Sequence, residues 1–297
     1  MKKNVFLKLA SALLVLCLAS TCAIGTTFAK YTTADKASDT ARVAKWGITV
    51  AVSGTLFGTD YASNTAADAV KDRITAATST SVSSLDGKKI VAPGTKNDTG
   101  FQVKLSGQPE VAYKITADTN DVTIEDIWLA ANTYGVMVPV YGVNAATDLA
   151  NLYVFDGTTY KPATAYDEPQ YFALHDKVVL AAKYNPIQWS VSNSGLDSVA
   201  IAAGDLMAVT NALVSAMNGK TGNAEDTLEA TYTLTWEWPW EVNNGADTIL
   251  GNLQAVAAGE SIRVVKLDGG SNYVAVEASD YNLDIAFGMK VIVDQVN

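Results

Sequence analysis

Apolar and polar residues alternate along much of the chain, most clearly between Thr231 and Glu241. The residues of this segment that share one face are Tyr232, Leu234, Trp236, Trp238 and Trp240. A period of two predicts a half-buried β-strand, because successive side chains of a strand point to opposite faces. Pro239 has no N–H to donate, which predicts a sheet edge or bulge at this end. We expect the aromatic row to face the core, where large rings bury the most area. On a solvent-facing surface it would instead form a platform for carbohydrate.

The same alternation predicts strands along the rest of the chain. Apolar faces occur in Trp46–Val52, Phe101–Leu105, Val111–Ile115 and Leu283–Val293. Shorter strand candidates are Tyr134–Tyr141, Leu152–Phe155, Lys177–Ala181, Ile187–Val191, Ser261–Leu267 and Tyr273–Ala278. The turn residues Asp156-Gly157 and Asp268-Gly269-Gly270 each predict a hairpin between neighbouring strands.

Helical patterns are few. Asp205 is a candidate N-cap for a helix that carries Leu206, Val209, Leu213 and Met217 on one side and is closed by Gly219. A second, weakly amphipathic candidate runs from Ala62 to Ala77, and Asn243–Asp247 has the composition of a surface loop. Many short strands with one or two short helices in the connections predict an all-β fold, a jelly-roll-like β-sandwich.

The first 29 residues have the pattern of a cleaved signal peptide. Lys2, Lys3 and Lys8 are followed by an uncharged stretch from Leu9 to Ile24, and Thr27-Phe28-Ala29 supplies small residues at positions −3 and −1. We expect cleavage between Ala29 and Lys30, secretion, and no stable membrane span in the mature form. The sequence then divides into the signal peptide (1–29), an N-terminal segment (30–42) and a β-sandwich domain (43–297).

Composition narrows the classes of partner and chemistry. The formal net charge is −10, and both cysteines, Cys17 and Cys22, lie inside the predicted signal peptide. An acidic chain is a poor match for nucleic acid, whose phosphates attract basic surfaces. Without cysteines the mature chain would have no disulfide and no thiolate ligand. We expect no cofactor.

The residues give no pattern of a catalytic centre. His175 is the single histidine, whereas a zinc peptidase of the HExxH type needs two histidines one helical turn apart. We therefore interpret His175 as a residue in a turn or at a strand end, and the chain as a protein without catalytic residues.

A short acidic run is the one candidate for a metal site. Its oxygen-bearing residues are Asp118, Asn120, Asp121, Glu125 and Asp126. Such oxygens can ligate calcium, but the run lacks the central glycine and register of an EF-hand loop, so we expect a solvated turn and no metal.

Several motifs, in order along the chain, resemble the TasA/camelysin family of exported Firmicutes proteins, which are processed by a SipW-type signal peptidase. The resembling segments are Lys30–Thr33, Ser38–Gly47, Val91–Thr95, Glu110-Val111, Tyr184–Trp189, Leu234–Glu241, Asp247–Asn252 and Gln295-Val296. The segments from Glu110-Val111 onward resemble uncharacterised clostridial members of the family.

The resemblance implies a jelly-roll sandwich that forms fibres of the biofilm matrix, by self-assembly or with related matrix proteins. In such fibres the segment after the cleavage site is a donor strand that completes the sheet of the next subunit. Carried over to this chain, the donor segment runs from Lys30 to about Arg42, and its donor-strand residues are Tyr31, Thr32, Thr33 and Ala34. Two alternatives stay open: the segment folds onto its own domain, or it is a disordered terminus.

Two other functions compete with a structural role. A monomeric surface adhesin or carbohydrate-binding module would use exposed aromatic side chains. A camelysin-type metallopeptidase is the more distant alternative, because the chain lacks HExxH and has a single histidine.

Overall fold

The structure, a computed structural model, describes residues 42–63, 80–84, 86–118, 120, 122–195, 201–239 and 242–296. These residues form antiparallel strands in several sheets, with two α-helices and one short 3₁₀ helix, Ala278–Asp280. The helices are α1 (Leu206–Met217) and α2 (Asn244–Ala257). The prediction of an all-β, sandwich-like fold with one or two short helices is confirmed.

The strands, in chain order, are β1 (Ile48–Ser53), β2 (Asp60–Ser63), β3 (Thr80–Ser83), β4 (Lys96–Gly107), β5 (Tyr113–Ala117), β6 (Thr123–Glu125), β7 (Trp128–Leu129), β8 (Thr133–Val140), β9 (Leu152–Phe155), β10 (Thr159–Pro162), β11 (Tyr171–Val179), β12 (Gln188–Ser194), β13 (Ile201–Gly204), β14 (Thr221–Gly222), β15 (Leu228–Glu237), β16 (Val264–Leu267), β17 (Tyr273–Ala275), β18 (Tyr281–Asn282), β19 (Ala286–Gly288) and β20 (Val291–Gln295).

The largest open sheet has five strands in the order β1-β4-β15-β12-β13. Its centre is β15, in which every second residue from Leu228 to Trp236 is buried, as the alternation predicts. Pro239 lies beyond the end of β15 at Glu237, so the missing N–H breaks no ladder bond of this central strand. A register shift between Leu234 and Trp236 forms a bulge against β4.

A second region is a closed six-stranded barrel in the order β10-β17-β16-β8-β11-β9. Its interior has a small, mainly aromatic core in which Tyr160 packs edge-on against Phe172 at 5.1 Å between ring centroids. Both predicted hairpins lie here, since Asp156-Gly157 joins β9 to β10 and Asp268–Gly270 joins β16 to β17. The closure itself has no counterpart in the sequence-based prediction.

Smaller sheets complete the structure. A three-stranded sheet has the order β14-β5-β20, and three two-stranded pairs join β18 to β7, β19 to β6 and β2 to β3. The apolar alternation predicted a single strand from Leu283 to Val293, whereas the structure divides this segment between β19 and β20.

The main core lies between the five-stranded sheet, the helices and β5. Trp189 and Trp236 are among its largest fully buried side chains, and the apolar face of α1, including Leu213 and Met217, belongs to the same core. The Asp205 carboxylate caps α1 by accepting from the Ala208 N–H at 2.7 Å, and Gly219 follows the helix with φ +78°, a conformation that favours glycine. The sequence-based prediction of α1 is confirmed.

The other helix predictions are wrong at the points that the structure describes. Asn243–Asp247 is not a loop: the Asn243 side chain accepts from the Ala246 N–H and caps α2, whose buried face includes Ile249 and Leu253. The candidate helix from Ala62 begins inside β2, and residues 64–79 lie outside the described part of the chain. Within the described ranges, no helix is both long enough and apolar enough to cross a membrane.

Candidate assembly site

The flank of the five-stranded sheet at β1 has an apolar face that stays partly exposed in the part of the chain that the structure describes. Val50 is paired with Leu105, and Val52 with Val103. Directly opposite residues of antiparallel strands project from the same face, so these valines are on the core side of the sheet. Leu105 and Val103 are only 0% and 3% exposed, whereas Val50 is 40% and Val52 61% exposed. We call this surface the β1 rim; it consists of Ile48, Val50 and Val52.

The opposite wall of the rim is formed by the end of the chain. Strand β20 approaches β1, and its Val291 and Val293 pack half-buried against the main core. Nearby, Phe101 of β4 meets Phe287 of β19 edge-on at 5.8 Å. Within the described residues β1 pairs only with β4, and β20 only with β5. Two edge strands from two different sheets therefore border one apolar face.

An ion pair fixes the chain where it enters β1. Both terminal nitrogens of Arg42 donate to the Glu110 carboxylate, at 2.6 and 2.5 Å, and the Lys45 N–H donates to the same carboxylate at 2.8 Å. The Glu110 N–H donates in turn to the Lys45 carbonyl at 2.8 Å. The hydrogen bond from Arg42, with that from the Lys45 N–H, lowers the pKa of Glu110 to about 2. We call this arrangement the Arg42 clamp (Arg42, Lys45 and Glu110).

The clamp holds Arg42, the first described residue, beside the end of β1 at which Ile48 pairs with Gly107. The predicted cleavage-site residues Ala29 and Lys30, and the predicted donor-strand residues Tyr31, Thr32, Thr33 and Ala34, lie outside the described residues.

Sequence reasoning marked Glu110 only as part of a two-residue motif, and it gave no signal for the exposed valines. Alternation identifies the apolar face of β1, but it does not show how far the opposing sheet extends over that face.

The other candidate residues do not converge on one site. His175 is exposed within β11 at a bulge, paired with Val136, and not in a turn or at a strand end as expected. Asp118 accepts two hydrogen bonds from Asn120, as in a tight surface turn, while Asp121 lies outside the described residues. The structure brings no three His, Cys, Asp or Glu residues together as a metal site within the described ranges.

We expected the whole acidic run to be a solvated turn, but Asp126 is partly buried. Its carboxylate accepts from the Ile127 N–H at 3.0 Å and from the Leu206 N–H, at the start of α1, at 3.5 Å. Burial raises the pKa of this carboxyl. Asp126 therefore contributes to the joint between β6 and α1.

The tryptophan row is part of the core, as predicted. Trp236 is 2% exposed and donates from Nε1 to the Leu56 carbonyl at 2.6 Å, and Trp238 is also buried. Trp240 lies outside the described residues. The described members of the row therefore offer no open platform for a sugar ring.

Compared with known proteins, the chain matches no family model, no curated protein and no solved structure.

Proposed function

We propose that the protein is a secreted structural component of a bacterial extracellular matrix or cell surface. It assembles when the segment from Lys30 to residue 41 of one copy adds as a strand to the β1 rim of the next copy. The observation that supports this proposal is the pair of core-side valines, Val50 and Val52, left exposed between two strand edges.

One added strand would suffice to cover the rim. Adjacent strands lie about 4.8 Å apart, so an added strand beside β20 would extend the second sheet over β1 and cover both valines. Its backbone would donate to and accept from the β20 edge, which is how an extended peptide gains affinity for an open sheet. An uncovered strand edge otherwise favours unspecific pairing, and a dedicated donor strand removes that hazard.

The proposed donor segment is suited to pairing through its backbone. Residues 30–34 read Lys-Tyr-Thr-Thr-Ala, in which the β-branched threonines favour extended structure. The Arg42 clamp would hold the end of the segment in a constant direction relative to β1 and so define the geometry of successive copies.

The proposal is tested by placing a charge on the rim. In protein beginning at Lys30, we expect Val52→Asp to reduce the fraction that sediments as assemblies, because a carboxylate buried under an added strand lacks a partner. The matched control is Val179→Asp, since Val179 is 67% exposed on β11 and lies away from the rim.

Both variants change exposed valines, so both should unfold like the parent in urea. Selective loss of sedimenting material with Val52→Asp supports assembly through the rim. Equal sedimentation of both variants and the parent contradicts it.

A further inference from the structure

One end of the six-stranded barrel carries aromatic side chains together with an arginine. Strands β8, β9 and β17 end there, and β10, β11 and β16 begin there. We call this end the barrel mouth and define it by Phe155, Tyr160, Phe172 and Arg263. The mouths of β-barrels are common places for ligand sites.

The four side chains of the mouth form one continuous series of contacts. The Arg263 guanidinium lies over the Phe172 ring, 5.5 Å from its centroid. Phe172 meets Tyr160 edge-on at 5.1 Å, and the Tyr160 ring lies 4.6 Å from that of Phe155, with 31° between the two ring planes. Burial raises the pKa of Tyr160, and the charge of Arg263 acts in the opposite direction. The guanidinium is therefore close enough to Tyr160 to influence its hydroxyl.

The two ends of this series are open to solvent, whereas its middle is closed. Phe155 is 46% exposed, and Arg263 is exposed as well. Tyr160 and Phe172 are buried, and so is Met137 in the same interior core. Since side chains fill the interior, a ligand would rest on the mouth and would not enter the barrel.

The charge of Arg263 has no counter-charge among the described residues. Arg263 takes part in none of their ion pairs. The carboxylate in the turn between β9 and β10, that of Asp156, is engaged by Lys161 at 2.5 Å. A guanidinium held against an aromatic ring can still donate from its N–H edges, which match the planar geometry of a carboxylate. The mouth is therefore suited to a carboxylate ligand.

Phe155 provides a ring surface beside this cation. Tyr160 covers part of the ring, and the rest is open to water. A pyranose sugar has an apolar C–H face and a polar edge of hydroxyls, so it can cover the Phe155 ring while its hydroxyls stay in water. An aromatic acid at this shallow site would leave its own second face in water, which is unfavourable. Because Tyr160 and Phe172 connect Phe155 to Arg263, a ligand that reaches both extends beyond one ring.

We propose that the barrel mouth binds an acidic polysaccharide whose sugars carry a carboxylate. One sugar ring stacks on Phe155, and a carboxylate of the same chain accepts from the Arg263 guanidinium. A neutral polysaccharide has the rings without the charge, and an aromatic acid has the charge without the amphipathic ring. Both are therefore expected to bind more weakly.

The test uses trigalacturonate, its fully methyl-esterified form and benzoate as probes, each titrated into protein beginning at Lys30 by isothermal titration calorimetry. The ester has the same sugar chain without the charge, and benzoate is the aromatic acid. Trigalacturonate is expected to bind most tightly of the three.

The contribution of the cation is tested with Arg263→Gln. This variant should weaken trigalacturonate about tenfold or more, the effect of losing a hydrogen bond to a charged group. Lys183→Gln is the matched control, because Lys183 is also exposed and lies over an aromatic ring, that of Trp128, at 4.6 Å. It follows the end of β11 that is opposite to the mouth, so its loss should leave trigalacturonate binding unchanged.

The contribution of the ring is tested at Phe155. Phe155→Leu keeps an apolar side chain without a flat ring and should weaken trigalacturonate about threefold or more, the range of an aromatic contact. Phe155→Tyr keeps the ring and should bind like the parent. Thermal unfolding of each variant checks that it is folded.

The proposal is overturned if the ester or benzoate binds as tightly as trigalacturonate, or if the parent binds no trigalacturonate at millimolar concentration. Unchanged binding in Arg263→Gln or in Phe155→Leu also contradicts it, as does an equal loss in Lys183→Gln. Assembly through the β1 rim can fail without affecting any of these results.

Discussion

The barrel and the five-stranded sheet differ in their strand edges: the barrel has none, whereas the sheet ends in open edge strands. Six strands of the barrel close on themselves around an aromatic core that includes Tyr160 and Phe172, so every one of them is paired on both sides. The five-stranded sheet ends at β1 with Val50 and Val52 uncovered on the core side. Closure removes the tendency of edges to pair with other chains. Where the chain leaves an edge open beside apolar side chains, the open edge is a candidate for a specific interaction.

The boundary between the covered and uncovered parts of the sheet lies between two adjacent strands. Leu105→Ala should destabilise the protein by about 2–5 kcal/mol, because it removes a fully buried side chain and leaves a cavity. Val50→Ala, directly opposite, should cost under about 1 kcal/mol, since Val50 is exposed. Urea unfolding of the unassembled protein measures both. Similar losses of stability in the two variants would show that the β1 rim is already covered within a single copy of the protein.

The junction between the two regions should respond to pH. Helix α2 contacts β8, β11 and β16 of the barrel, and its Asp247 bonds to Tyr184 and Trp238. Burial raises the pKa of Asp247 above its ordinary 3.8, so the folded state binds the proton more tightly than the unfolded state. The contribution of Asp247 to stability therefore falls as pH rises from 3.8 through its raised pKa.

Asp247→Asn should remove this contribution, so that the difference in unfolding free energy between variant and parent changes with pH across that window. Urea unfolding at several pH values between 4 and 7 measures it. The unfolding free energy of the variant should increase relative to that of the parent as pH rises. If the difference in unfolding free energy does not change with pH, the pKa of Asp247 is not raised in the folded state.

The Arg42 clamp should affect stability least. Its ion pair is exposed, and exposed pairs contribute little to stability. Arg42→Ala should nevertheless raise the pKa of Glu110 from about 2 toward its ordinary 4.5, while the Lys45 N–H still holds it partly down. A nuclear magnetic resonance titration of the Glu110 carboxyl reports this. A pKa that stays near 2 in the variant would show that Arg42 does not hold the carboxylate in solution.

Sequence patterns predicted correctly those strands and helices that are determined by residues close together in the sequence. The alternation in β15 and the cap and closing residues of α1, Asp205 and Gly219, are encoded within a few residues of each element. Helix α2 was missed because its first residues, Asn244-Gly245-Ala246-Asp247, have the composition of a turn. The signal was nevertheless present in the spacing of Ala246, Ile249, Leu250 and Leu253, which is that of a buried helix face.

The features that carry the proposals depend on distant parts of the chain. Closure of the barrel requires β8 to pair with β16 and β10 with β17, across long separations in sequence. Exposure of Val52 depends on where β20 ends the second sheet. No periodic pattern or motif in the sequence indicates any of these relations, so they could not be predicted from it.

Assembly by an added N-terminal strand is tested most directly by electron microscopy of two purified proteins, one beginning at Lys30 and one beginning at Val43. The second lacks both the proposed donor segment and Arg42, and retains the β1 rim. Fibres from the first protein and separate particles from the second are the predicted result. Separate particles from both, or fibres from both, would contradict assembly through the segment that precedes Val43.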